Sequence, residues 1–190
     1  MAIEAKNKVT FGLCNGKYAV ATPNSDGYTF GTVKALPNLQ SFSLTRKGGK
    51  SDVAADDTII ASIASFSGAD ITIKLSELSE EFKKDVLGYK EDSAKGLCEV
   101  TNAAPVTFAF GFEVKGDVKK RRIWYYLCTA TQGSEATETN SDSITPNSDE
   151  VVITARPINC KGTYVLRRIV EEGASDYDTS FTTVTAPTFA

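Results

Sequence analysis

Hydrophobic and polar residues alternate with a period of two along much of the chain. In residues 106–114, valines and phenylalanines occupy every second position, and mostly small or polar residues lie between them. This alternation predicts a half-buried β-strand with an aromatic inner face. Residues 70–75 and 151–156 alternate in the same way. Further strands are predicted at 9–16, 17–22, 28–34, 40–45, 58–65, 122–131, 163–170 and 179–185.

One segment, residues 74–92, breaks this alternation and has helical spacing instead. Leu78, Phe82 and Val86 recur at every fourth position and would form one apolar face. Ser79 is a suitable N-cap, and Gly88 is placed to end the helix. We therefore predict one helix of about ten residues, near the usual length in globular proteins, packed on a sheet.

Short strands separated by turn residues, with a single helix, predict a mainly β protein. We expect an antiparallel β-sandwich, or else a barrel, with one short flanking α-helix, built as a single domain over residues 1–190. Three stretches interrupt the regular pattern. They are a long loop at 46–57 with paired glycines, an acidic loop at 132–150 without any cation, and a C-terminal arm at 173–190. Long loops in compact domains are often functional.

Composition and charge exclude several classes of function. A net charge of −3 argues against a dedicated nucleic-acid-binding protein, which is usually basic overall. The absence of histidine removes the commonest general base and metal ligand. The four cysteines lie far apart without a C-x-x-C pair, so we expect free thiols and no zinc site. The stretch GGKS at 48–51 lacks the earlier glycine of a phosphate-binding loop. We expect no enzymatic activity and no cofactor.

The chain also lacks the patterns of secretion and membrane insertion. Residues 1–10 carry charges but no apolar segment of a signal peptide. The longest run without a charged residue, 100–112, is too short for a transmembrane helix of about 20 residues. These patterns predict a soluble protein made in the cytoplasm, with no membrane partner.

A cluster of cations precedes an aromatic strand at 114–126, VKGDVKKRRIWYY. Cations beside exposed aromatic residues are typical of single-strand nucleic-acid binding. However, residues 123–128 are apolar on both faces, which predicts a central strand covered on both sides. The predicted faces are Ile123, Tyr125 and Leu127 on one side and Trp124, Tyr126 and Cys128 on the other. We interpret the cations as a charged hairpin end facing water or an acidic partner: Lys115, Lys119, Lys120, Arg121 and Arg122. A nucleic-acid-binding β-barrel is one alternative.

The order of these segments resembles the major tail protein family, the tail tube proteins of long, non-contractile-tailed phages and prophages of Gram-positive bacteria. The most specific motifs are EEFKKDVLG at 80–88, GDVKKRR at 116–122 with the aromatic strand that follows, and VITARP at 152–157. The resemblance runs from residue 8 to residue 168. Because these motifs are structural, the resemblance is carried by their order and spacing and not by catalytic chemistry.

The resemblance implies a structural protein of the virion tail that assembles in the host bacterial cytoplasm. Such proteins are β-sandwiches that form hexameric rings, and the rings stack into a hollow tail tube around a tape-measure protein. Tail terminator and distal tail proteins bind the tube ends, and genome DNA passes through as transiting cargo during ejection. A monomeric Ig-like or adhesion β-sandwich is the alternative function.

The implied tube assigns two sets of residues. The family places a long loop between the strands that flank 46–57, so we expect contacts between rings from Arg46, Lys47, Lys50, Asp52, Asp56 and Asp57. A wall along which DNA slides should be acidic or neutral. Small polar positions are therefore candidates for the lumen: Ser41, Ser43, Thr45, Thr58, Ser62, Glu150 and Thr154. The hairpin cations are expected away from the lumen, against the acidic loop of a neighbouring subunit.

Overall fold

A computed structural model describes residues 12–25, 27–55, 58–136 and 148–189 of the chain. The fold is mainly β, with antiparallel sheets and one short helix, as predicted. The strands are β1 Leu13–Asn24, β2 Gly27–Phe30, β3 Lys34–Ala35, β4 Leu39–Ala55, β5 Thr58–Leu75, β6 Lys90–Glu91, β7 Leu97–Cys98, β8 Thr107–Val114, β9 Arg122–Ala136, β10 Ser148–Arg156, β11 Ile158–Cys160, β12 Thr163–Val165 and β13 Arg167–Val170; the helix is α1 Glu80–Asp85.

Nine of these strands form one sheet in the order β2-β1-β8-β9-β10-β5-β4, with β3 paired to β1 and β13 paired to β9. The predicted strands at 9–16 and 17–22 join into β1 within the described residues, and those at 58–65 and 70–75 join into β5. Alternation in the predicted segments of β5, β8 and β10 has the predicted faces, because the even positions 108–112 of β8 and the odd positions 69–75 of β5 and 151–155 of β10 point into one core.

The sheet curls so that its two halves face each other across this core. Phe42 of β4 lies 4.6 Å from Phe112 of β8 between ring centroids, although β9, β10 and β5 separate the two strands in the sheet. Phe42 also contacts Phe110 and Tyr125. The two facing layers of the predicted sandwich are therefore halves of one continuous sheet. This arrangement buries apolar area that a flat sheet would leave exposed.

Helix α1 closes one side of the core. Ser79 is its N-cap and accepts a hydrogen bond from the Phe82 N–H, as the sequence predicts. Phe82 packs edge-on against Tyr18 at 5.1 Å and against Phe108 at 5.7 Å between ring centroids. The helix has 6 residues, fewer than predicted. It ends at Asp85 with Val86 as its C-cap, and the chain then turns at Gly88, whose φ of 78° is a left-handed conformation that favours glycine.

Strand β9 contains a bulge that changes the predicted faces. Phe108 of β8 pairs with Cys128, whereas Phe110, two residues later, pairs with Tyr125, so β9 has one extra residue at this point. Tyr126 and Leu127 consequently both lie on the outer face with Trp124, and Cys128 turns inward. The predicted assignment of Leu127 to the face of Tyr125 is wrong beyond the bulge. The prediction that this strand is covered on both sides is confirmed.

The outer face of β9 is covered by the C-terminal segment, residues 171–189. Trp124 packs edge-on against Phe181 at 5.5 Å and donates a hydrogen bond to the Ser180 carbonyl at 2.7 Å. Tyr126 donates to the Thr185 carbonyl at 3.2 Å, and Val184 is buried. The predicted free arm at 173–190 is therefore wrong for its described residues, which also form turns instead of the predicted strand at 179–185. Apolar side chains of this segment gain more by packing on Trp124 than by contact with water.

No helix in the described part of the chain is both long and apolar enough to span a membrane.

Gly111 of β8 tests the packing of the outer face. A Cβ atom added at this glycine would lie 2.7 Å from the Trp124 Cδ2 atom, closer than a real contact allows. We expect Gly111→Ala to lower the free energy of unfolding by about 1–3 kcal/mol, the usual cost of overpacking, as measured by urea denaturation. The control is Gly31→Ala, whose Cβ would lie 3.5 Å from the Val20 carbonyl oxygen. Equal stabilities of the two variants would contradict the described position of Trp124.

Candidate functional site

The solvent-facing side of β4, β5 and β10 forms a continuous polar surface, which we call the polar face. Cross-strand pairing arranges it in three rows. The rows are Ser41, Lys74 and Glu150; Ser43, Thr72 and Val152; and Thr45, Asp70 and Thr154. None of these nine side chains is fully buried. Regular alternation therefore produces a surface rich in hydroxyl groups opposite the apolar core.

The structure brings five of the seven predicted lumen residues together on this polar face. They are Ser41, Ser43, Thr45, Glu150 and Thr154. The other two lie elsewhere, because Ser62 pairs with Asp52 and Thr58 with Ala55, far along the β4–β5 hairpin. Sequence spacing could not separate these two groups, because both follow the same alternation.

Both carboxylates of the polar face contact lysines. The Lys47 ammonium lies 2.7 Å from Asp70, and Thr154 donates a hydrogen bond to the same carboxylate at 3.0 Å. The hydrogen bond from Lys47 is the main cause that lowers the pKa of Asp70 below its ordinary value, so this carboxylate is charged at neutral pH. Lys74 lies 3.7 Å from Glu150. Positive and negative groups alternate on the polar face, which leaves little net charge there.

Beyond the curled sheet, β4 and β5 continue as a two-stranded arm, which we call the hairpin arm: residues 46–55 of β4 and 58–67 of β5. The predicted loop at 46–57 is therefore wrong for residues 46–55, which form strand. The paired glycines fit a register shift between Lys47 and Gly48, where a Cβ on Gly48 would lie 2.2 Å from the Ser65 carbonyl oxygen. Arg46, Lys47, Lys50 and Asp52 belong to the arm, whereas Asp56 and Asp57 lie outside the described residues.

The hairpin arm exposes apolar side chains and backbone edges. Ile59, Ile60 and Phe66 are 60%, 65% and 50% exposed. Within the described residues, 46–55 pair only with β5 and 58–67 pair only with β4, which leaves both outer edges of the arm without a ladder. Such edges are templates for pairing with another chain.

The predicted cation hairpin is held by acids of its own chain. Lys119 lies 2.9 Å from Glu171, and Lys120 lies 2.6 Å from Glu172. Each lysine and its partner are 52 residues apart in sequence. The sequence prediction missed these glutamates because only tertiary structure brings the C-terminal segment to this turn. Their pairing removes the need for the predicted acidic loop of a neighbour. Lys115 is exposed, and its N–H donates to the Gly12 carbonyl at 3.1 Å.

Arg121 and Arg122 of the same hairpin also make contacts within their own chain. The buried Asp117 carboxylate accepts hydrogen bonds from the Arg121 side chain and from the Lys119 and Arg121 N–H groups. The Arg122 guanidinium lies 4.0 Å above the Tyr177 ring and donates to the Tyr177 carbonyl at 2.5 Å. Arg122 is thus a stacking and hydrogen-bonding anchor for the C-terminal segment.

Reactive groups do not gather into a recognisable centre in the described ranges. Among those residues there is no group of three or more cysteine and carboxylate side chains that could hold a metal ion. All four cysteines are free, and Cys128 and Cys160 are buried. Burial raises the pKa of the Cys128 thiol to about 12, which keeps it protonated and unreactive at neutral pH.

No family model matches this chain, and a search of curated proteins also finds no match.

Phe181 tests whether the C-terminal segment is part of the folded unit. We expect Phe181→Ala to lower the free energy of unfolding by about 3 kcal/mol, because it leaves a cavity beside Trp124. Urea denaturation followed by the fluorescence of this single tryptophan would measure the change. Thr183→Ala, at an exposed position of the same segment, is the control and should change little. Equal effects of the two substitutions would mean that the segment is the free arm first predicted.

Proposed function

We propose that this chain is the subunit of a phage tail tube, in which six copies close into a ring and rings stack into a hollow conduit for DNA. The observation that carries this proposal is the hairpin arm. It extends beyond the core with Ile59, Ile60 and Phe66 exposed and with two outer edges that pair with no other strand of the described residues. Its position also matches the segment to which the resemblance assigns contacts between rings.

The physical argument starts from the instability of an isolated hairpin. Two-stranded hairpins are at best marginally stable in water, and exposed edges favour aggregation. A monomer would therefore have no evident use for such an arm. In an assembly, the edges pair with strands of neighbouring copies and the isoleucines are removed from water. A head-to-tail contact of this kind closes into a ring when its rotation closes, and otherwise forms a filament.

The polar face supports the same proposal as the wall of the tube. Its hydroxyl groups come from serines and threonines, and its carboxylates Asp70 and Glu150 each contact a lysine. Strong binding to phosphate would require a surplus of unpaired cations, which release counterions from DNA. A nearly neutral hydroxyl surface would let DNA slide. On this proposal Ser41, Ser43, Thr45, Glu150 and Thr154 line the lumen, whereas Thr58 and Ser62 belong to the arm.

Shortening the arm tests the proposal. Gly49 and Ser65 face each other in the hairpin, so residues 50–64 can be replaced by an Asn-Gly turn. We expect this variant to remain a folded monomer with the urea midpoint of the full chain, because the core lies outside the deletion. The full chain should form rings or tubes at high concentration in negative-stain electron microscopy and analytical ultracentrifugation, and the shortened chain should not.

Substituting the exposed isoleucines tests whether assembly depends on the apolar surface of the hairpin arm and not only on the length of the arm. Ile59→Asp with Ile60→Asp should also prevent assembly, because charged groups cannot be buried at the contact without partners. Val118→Asp is the matched control, since Val118 is 55% exposed but lies outside the arm. Normal tubes from the shortened chain would exclude the arm as an assembly contact. Absence of any ring or polymer from the full chain would overturn the proposed function and favour the monomeric alternative.

A further inference from the structure

A cleft lies where the hairpin arm leaves the curled sheet, and we call it the arginine cleft. Its volume is about 270 Å³. One wall comes from β4 and β5, and the other comes from β12 and the start of β13. The lining residues are Leu44, Arg46, Phe66, Tyr164, Val165, Leu166 and Arg167. The residues of the two walls are about a hundred positions apart in sequence, so only the fold creates this cleft.

Two arginines in the cleft differ from the other cations of the molecule. Arg46 and Arg167 are exposed, and neither has a carboxylate within ion-pair distance among residues 12–25, 27–55, 58–136 and 148–189. The neighbouring cations are already paired, because Lys47 contacts Asp70 and Arg168 contacts Asp176 at 2.6 Å. The cleft therefore offers two guanidinium groups with unused hydrogen-bonding capacity, and guanidinium groups bind carboxylates in a bidentate geometry.

The rim of the cleft has the composition of a protein interface. Phe66 is 50% exposed and Tyr164 is 71% exposed, and both lie beside the two arginines. Aromatic residues and arginine are the types most enriched in the energetically important centres of protein contacts. The cleft is therefore suited to a peptide segment that carries a carboxylate.

We propose that the arginine cleft binds the acidic segment 137–147 of a neighbouring copy, with Glu138 and Asp142 supplying the carboxylates. This inference rests on the proposed assembly into rings and names one of its contacts. The segment, TETNSDSITPN, contains these two acids and no cation. Charge complementarity thus assigns the acidic segment to Arg46 and Arg167, and not to the hairpin cations, which are paired within their own chain.

Geometry favours a neighbouring copy over the same chain. Arg46 pairs with Ala69, which pairs with Ala155 near the end of β10. The segment joins Ala136 to Ser148, at the other end of β10 and seven residues from Ala155, a distance of about 23 Å along a strand. Glu138 is two residues from Ala136, so its backbone reaches at most about 7 Å from the strand end, too short for its side chain to meet Arg46 of the same chain. Asp142 is six residues from either strand and reaches about 22 Å, so it is Glu138 that requires a neighbouring copy.

A synthetic peptide tests the cleft without requiring assembly. We expect the peptide of residues 137–147 to bind the full chain in fluorescence anisotropy, with an affinity that falls as salt increases. Arg46→Glu with Arg167→Glu should weaken binding by about tenfold or more, because attraction becomes repulsion. The control peptide carries Glu138→Gln and Asp142→Asn and should bind as weakly to the original chain. No saturable binding at peptide concentrations on the order of millimolar, the effective concentration of tethered partners, would overturn the proposal.

Charge exchange in the full chain tests the contact within an assembly. Arg46→Glu with Arg167→Glu should abolish rings in electron microscopy, and the further changes Glu138→Arg and Asp142→Arg in the same chain should restore them. Lys90→Glu with Lys95→Glu, at two exposed lysines outside the cleft, is the matched control and should assemble normally.

The outcomes separate this inference from the proposed function. Normal rings from Arg46→Glu with Arg167→Glu would overturn the cleft contact while the tube proposal stands. Failure of the charge-exchanged chain to restore rings, although it folds with an unchanged urea midpoint, would also count against the contact. If the original chain forms no rings at all, the proposed function fails, and peptide binding alone still decides whether the cleft takes this segment.

Discussion

Burial of β9 on both faces is the constraint on which the rest of the structure depends. Its inner side chains require the sheet to curl until Phe42 of β4 reaches Tyr125. Its outer side chains, Trp124 and Tyr126, require a second cover, which the C-terminal segment provides. Fully burying a large apolar side chain contributes about 1.5–3 kcal/mol. A few such residues on one strand are therefore enough to hold two distant parts of the chain in place.

The cations that precede β9 serve this same burial. Ion pairs from Lys119 and Lys120 fix the start of the C-terminal segment, and Arg122 stacks on Tyr177 further along it. Exposed ion pairs contribute little individually. The buried Asp117 is different, because its carboxylate holds the turn through hydrogen bonds to the backbone and to Arg121. Residues 114–126, whose composition is typical of nucleic-acid binding, in this fold hold the C-terminal segment against the outer face of β9.

The described part of the molecule divides into a buried core around β9 and an exposed hairpin arm with an adjacent cleft. Strand edges without a ladder and the exposed Ile59 and Ile60 lie in the arm, and Arg46 and Arg167, which contact no carboxylate of the described residues, lie in the cleft at its base. This segregation supports a subunit whose folding is complete within one chain and whose remaining interactions lie between copies.

The features that could be predicted from the sequence are those that depend on the local conformation of the chain. The inner faces of β5, β8 and β10 follow from alternation, because side chains of a strand point to opposite sides whatever their surroundings. The N-cap at Ser79 and the left-handed Gly88 also follow from local backbone preferences. These elements together predict the class of fold. They also predict that the five polar-face residues on regular strands share one face.

Tertiary structure alone decided the remaining features. Residues 46–55 were predicted as a loop because glycine and charge suggest flexibility, but strand pairing with residues 58–69 overrides that local preference. The bulge in β9 reverses the faces at Leu127, and composition does not reveal where a bulge forms. Glu171 and Glu172 form ion pairs with their lysines, and Arg46 and Arg167 line one cleft, across long sequence separations. Such contacts depend on which surfaces the curled sheet brings together, and the order of residues along the chain does not specify this directly.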